Sequence, residues 1–337
     1  MKRVYFTLII AALMLAVFLT SCSKTGEAPA SDNVGIVGSL STELPDAYEG
    51  NAHFTENMEL FGDSLKNVYN YECVYRYFIT GDKDSAYSDV VKLKTKLLYA
   101  IKHDYYLTEE EQDQIRENAE NYLRMQYDTL SIGDESFEDE YSSDAASNAV
   151  FGITADQYTR IRLCESLAEK CASDIEDTYE KEGALREQNV REFYEARRDM
   201  YDHAVLRYVS FKPDDAESAQ QFFDGIETVE DMLEIIGGES DLQTVGDSNG
   251  QVTVYMKDTA GLFYEFVKGS GRKANAKTIV YDTENVYVVI TEGYFTYDTG
   301  TAVAETVKED YIKNAVESEM LEDLLEYKGS DDWYIDA

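Results

Sequence analysis

Apolar and polar positions change their pattern several times along the chain. Residues 4–19 are a near-continuous apolar run behind Lys2 and Arg3, and from about 23 to 55 no period survives among Ser, Gly, Ala, Asp and Glu. From about 56 to 202 apolar residues recur at helical spacing. One stripe carries Tyr71, Val74, Tyr75 and Phe78, the next Val90, Leu97, Leu98 and Ile101, and a later one Tyr158, Ile161, Cys164, Leu167, Cys171 and Ile175. Thr108 with Glu111, and Thr154 with Gln157, are capping boxes, because each side chain can satisfy an amide that a helix start leaves free. The acidic stretch 131–147 reads as a loop, and a further helix covers about 187–201.

At 204 the period changes. Residues 204–211 are β-branched and aromatic and stop at Lys212-Pro213, which predicts a strand. Helices follow at about 214–224 and 228–236, then a strand at 252–256, a short helix at 259–268, and a hairpin of 277–281 and 286–291 about a turn at 282–285. One long helix closes the chain at 301–327. The fold class expected is α+β: an all-helical, chaperone-like N-terminal domain, a small α+β module, and a C-terminal helix packing back on the helical domain.

The first run spans about 16 residues, short of the roughly 20 that cross a bilayer, so it reads as a signal peptide and not as a membrane helix. Leu19, Thr20 and Ser21 before Cys22 resemble the lipobox of bacterial lipoproteins, which makes them the cleavage motif and Cys22 the lipid-bearing residue. The expected division is signal peptide 1–21, tether 22–55, helical domain 56–202, α+β module 203–297, C-terminal helix 298–327 and tail 328–337. Fully extended, the tether reaches about 100 Å. The expected location is the outer face of a bacterial cytoplasmic membrane.

With 67 acidic against 30 basic residues the net charge is -37. Such a chain repels phosphate backbones and anionic headgroups, so nucleic acid is excluded as a partner and membrane attachment is left to the lipid. Cys73, Cys164 and Cys171 show no CxxC spacing. Cys164 and Cys171 stand about 10 Å apart along a helix axis, too far to bridge, so buried apolar roles are expected. His53, His103 and His203 are scattered, which argues against a His-based metal site, and no phosphate loop, HExxH or GxSxG occurs. No cofactor or metal is expected.

A lipobox, a helical region, a module of about 90 residues and a closing helix resemble the extracytoplasmic foldase lipoproteins with a parvulin-type peptidyl-prolyl isomerase module. The resemblance is carried by residues 190–211, by Thr244-Val-Gly-Asp-Ser-Asn-Gly250 in place of the family's Gly-Asp-x-Gly turn, by Leu262-Phe-Tyr-Glu-Phe266 with the glycines after it, and by Val286-Tyr-Val-Val-Ile290 as last strand. It implies unfolded or exported polypeptides as partners. The family's two active-site histidines are missing: Arg207 or Tyr208 and Tyr287 stand in their places, and His203 lies just ahead of the first strand. Prolyl isomerisation needs a dry apolar pocket and polar groups near the twisting amide rather than a nucleophile. Met256, Phe263, Phe266 and Tyr287 are the candidate walls of a substrate groove, and Tyr208 or Asp247 its polar group; no catalytic residue is assigned. A foldase or chaperone with weak or lost isomerase activity is therefore expected, with an active isomerase or a transporter's solute-binding lipoprotein as alternatives.

Overall fold

The computed structural model describes residues 35–44, 50–131, 141–181, 185–238, 250–329 and Trp333. Leu19, Thr20, Ser21, Cys22 and Asp247 lie outside the described residues. The chain divides into two compact units, 1–171 with 321–337, and 172–320.

In the first unit, helices α1 (Phe54–Lys66), α2 (Asn70–Thr80), α3 (Lys83–Lys102), α4 (Glu109–Ser131) and α5 (Ser143–Phe151) pack with the first part of α6 (Ala155–Lys181). Both capping boxes form. The Thr108 amide donates to the Glu111 carboxylate at 2.8 Å and the Glu111 amide to the Thr108 hydroxyl at 3.2 Å, and Thr154 and Gln157 repeat the exchange at 3.0 and 3.3 Å. The expected α6 stripe is buried from Tyr158 to Cys171, and all three described cysteines are buried and outside any disulfide. Part of the stretch expected as a loop at 131–147 is instead helix α5. Ser142 accepts the Ala145 amide as its N-cap, and Ala146, Val150 and Phe151 give the helix an apolar face.

Three further corrections concern a small sheet in this unit. Residues 36–40, expected within the tether, are strand β1 (Ile36–Leu40), which lies between β2 (Asn67–Tyr69) and β7 (Tyr327–Gly329), antiparallel to both. The C-terminal helix, expected to run to 327, stops at Met320. Of the expected tail, Lys328 and Gly329 belong to β7, which pairs with β1, and Trp333 is buried in the unit's core. The β1–β7 approach needs glycine at 329, where a Cβ would strike the Val37 backbone; its partner Gly38 instead leaves room for the Tyr87 hydroxyl.

In the second unit, α7 (Leu185–Glu195) and α8 (Arg198–Tyr201) lead into β3 (His203–Phe211). Helices α9 (Ala216–Gly225) and α10 (Val229–Gly238), strand β4 (Gln251–Tyr255), α11 (Tyr264–Lys268), β5 (Lys277–Tyr281), β6 (Val286–Phe295) and α12 (Thr301–Met320) follow. Helix α11 begins later than expected because Gly261 closes a turn on Asp258 ahead of it. The strands form one antiparallel sheet in the order β4-β3-β6-β5, so the last strand lies beside the first. The two-residue period of β6 puts Val286, Val288 and Ile290 on one face, with Val209, Ala219, Ile226, Val229 and Met232. Tyr287 and Val289 lie on the other, with Leu206, Tyr208, Met256, Phe263 and Val267. Both faces are covered, which explains the unbroken apolar run of this strand. Helix α12 packs Val303 and Val307 on Val190 and Tyr194 of α7, within the second unit.

Candidate functional site

The sheet brings five of the six groove candidates into one cluster. On one face Tyr208, from β3, meets Phe263 at a ring-centroid distance of 5.3 Å and Tyr287, from β6, at 5.9 Å, while Phe263 meets Tyr287 edge-on at 5.6 Å. Met256 is buried in the same cluster and Phe266 packs against it half-buried, as do Val252, Tyr264, Val280 and Tyr294. At its centre Tyr208 and Tyr287 are each only 5% exposed. The aromatic centre is therefore core, and what faces outward is its half-buried rim.

Tyr208, and not Arg207, is the first-strand residue that meets Tyr287; the Arg207 guanidinium instead pairs with Glu292 at 3.0 Å. The Tyr287 hydroxyl donates to Asp282 at 2.8 Å and accepts from the Asn285 side-chain amide at 3.2 Å. Burial, and then the Asp282 carboxylate, push the Tyr287 hydroxyl above its ordinary range. Asp282 is held low by the Glu284 amide first, then by the Tyr287 hydroxyl and the Asn285 amide. Both polar groups are spent on the β5–β6 turn. His203 sits at the opposite end of β3, its ring between Tyr255 and Phe295 and its Nδ1 2.9 Å from the Tyr201 carbonyl oxygen. It does not replace the missing pair.

One polar constellation escaped the sequence reading. Asp202, buried between α8 and β3, accepts the Tyr194 hydroxyl at 2.6 Å and the Tyr294 hydroxyl at 3.3 Å, and Arg198 stands 3.8 Å away. Burial, and then this carboxylate, raise both tyrosines. The two tyrosine hydroxyls converge on one carboxylate, so the group ties α7 and β6 to the start of β3. The signal available was an acid between a helical aromatic stripe and a β-branched run, a place where a solvated side chain is unusual.

The cluster can bind an apolar side chain at its rim; it shows no activated nucleophile and no paired acid and base. Among the described residues no group of three or more His, Cys, Asp or Glu is placed to hold a metal ion, and no helix is long and apolar enough to cross a membrane.

No protein-family model matches the chain, and no curated protein matches it. The crystal structure of the foldase protein PrsA from Streptococcus pneumoniae str. Canada MDR_19A aligns over 85% of this chain and 88% of its own, with 8% identity and a TM-score of 0.28. At that score the likeness carries no argument about fold or function.

Proposed function

We propose that this chain is a foldase-like lipoprotein that holds non-native segments of exported polypeptides through its second unit, with prolyl isomerase activity weak or lost. One observation carries the reading. The first and last strands of the module pair side by side, as in the parvulin-type layout that the sequence resembles, yet the residues in place of the histidines, Tyr208 and Tyr287, are diagonal neighbours whose rings pack together as core. A holding role outlasts the loss of the histidines, because it requires an apolar and aromatic surface rather than reacting groups. The half-buried rim of Val252, Tyr264, Phe266 and Val280 suits that use. Cleavage before Cys22 and acylation there would keep the folded part on the outer face of the membrane.

The test follows two activities in one preparation of the full chain: suppression of aggregation of a chemically unfolded client, and cis-to-trans conversion of a proline peptide. Suppression at near-stoichiometric ratios, with a conversion rate close to the uncatalysed one, is expected. Fast conversion would make the chain an active isomerase, and failure to suppress aggregation would remove the holding role.

A further inference from the structure

Among the described residues, strand β5 ends the four-stranded sheet and pairs with β6 on one side only. Two hydrogen bonds fix which of its backbone groups are used. The Asp282 amide donates to the Asn285 carbonyl at 3.1 Å at the turn, and the Thr291 amide to the Ala276 carbonyl at 2.8 Å at the far end. Antiparallel ladders alternate, so the Ala276 carbonyl, both backbone groups of Thr278 and Val280, and the Asp282 amide point to β6, while Lys277, Ile279 and Tyr281 direct theirs away from it; the Ala276 amide turns back to the Lys273 carbonyl at 3.0 Å. The one side-chain contact along this row is the Thr278 hydroxyl, 3.5 Å from the Ile279 carbonyl oxygen.

Proteins usually blunt such an edge with a bulge, a proline or an outward lysine. Within Lys277–Tyr281 there is neither bulge nor proline and the register with β6 is continuous; the irregularity lies just ahead, where Thr291 bonds both Asn275, at φ 62°, and Ala276. The strand's one lysine is withdrawn. The Lys277 ammonium donates to the Phe223 carbonyl at 2.7 Å and to the Ile226 carbonyl, and lies over the Phe223 ring at 4.4 Å. Lys-Thr-Ile-Val-Tyr is rich in residues that favour strands, and Tyr281 is 63% exposed. An extended polypeptide can replace water along the whole row of alternating amides and carbonyls at once, with little regard to its own sequence.

We propose that the free edge of β5 takes up an extended segment of a non-native polypeptide as an added antiparallel strand. The inference rests on the holding function above and names the surface and partner for it. Arg272 and Lys273 precede β5, and Asp282 and Glu284 follow it. An antiparallel guest lays its first residues beside the acidic end, so a segment that begins basic and ends acidic, with β-branched residues between, fits best. A second copy of this chain would match the same pattern, but each copy carries -37 charges, which opposes self-association.

The test uses the full chain and a fluorescein-labelled peptide of alternating Val and Thr with two lysines at its start and two glutamates at its end. Binding is read by anisotropy, and residue-resolved hydrogen exchange is recorded with and without peptide. The amides of Lys277, Ile279 and Tyr281 should exchange at least tenfold more slowly with peptide bound. Tyr281→Pro removes one outward N–H at an exposed position and should weaken binding about fivefold; Ile279→Val, which keeps every backbone group, should not weaken it. Unchanged exchange at these three amides in the bound state would overturn the inference, as would absence of binding, or a concentration-dependent dimer that protects them without peptide. If aggregation is still suppressed in any of those cases, the holding function stands and only its assignment to this edge falls.

Discussion

The two units bury very different interiors. The core of the first is threaded with charge: the Lys94 ammonium lies 2.7 Å from Glu72 and also donates to the Ser64 carbonyl, and Glu165 is held between Arg76 at 2.7 Å and Arg162. Around these ions stand buried tyrosines, including Tyr71, Tyr75 and Tyr158. The second unit is a sheet with an aliphatic face and an aromatic one, with polar bonds at Asp202 and at the β5–β6 turn near its ends. A buried ion tolerates only one arrangement of its neighbours, so the first interior is specific and intolerant. An aromatic rim and an open strand edge accept many partners, which suits a surface that must hold unrelated segments.

Alkali should separate the two most sharply. Burial drives Tyr71, Tyr75, Tyr158 and Tyr327 of the first unit far above the ordinary tyrosine range. Each stays protonated when folded but ionises near pH 10 when unfolded. Their stabilisation is thus complete below about pH 10 and is lost above it, at about 1.4 kcal/mol per tyrosine per pH unit, or roughly 5 kcal/mol for the four. The second unit's tyrosines are shifted less, Tyr201 to about 12. Emission from Trp333, the single tryptophan, should therefore report loss of the first unit as pH rises past 10, before far-ultraviolet dichroism shows loss of the sheet.

Substitution gives smaller effects in the same direction. Lys94→Ala leaves Glu72 buried without its counter-ion and should cost about 3–5 kcal/mol in urea unfolding followed at Trp333; Lys94→Met with Glu72→Leu should recover most of it. Gly329→Ala forces β7 from β1 and should cost about 1–3 kcal/mol by the same readout. Tyr287→Phe removes one hydroxyl from Asp282 and should cost the second unit about 1 kcal/mol. An equal or greater loss from Tyr287→Phe than from Lys94→Ala would erase the contrast.

What the sequence disclosed was local. The boxes at Thr108 and Thr154 and the turn at Asp282 signal within three residues, and all three form as read. Strand β1 was hidden because its partners are distant along the chain: Gly38 pairs with Val68 and with Gly329, so no window around it carries the pattern. Lys94 was legible yet passed over. It falls on the stripe of Val90, Leu97, Leu98 and Ile101, where a cation implies a buried partner. Of the site, the aromatic residues were identified as groove walls, but spacing alone could not tell a rim from a core. The structure puts Tyr208 and Tyr287 in the core and leaves Phe266 half-buried at the margin.

The central claim, that the second unit is the holding surface, is tested most directly by segment-resolved hydrogen exchange of the full chain with and without a chemically unfolded client. Slower exchange in 250–268 and 277–295, with 54–171 unchanged, is the predicted result. Slowing confined to 54–171 would contradict it and move the function to the helical unit.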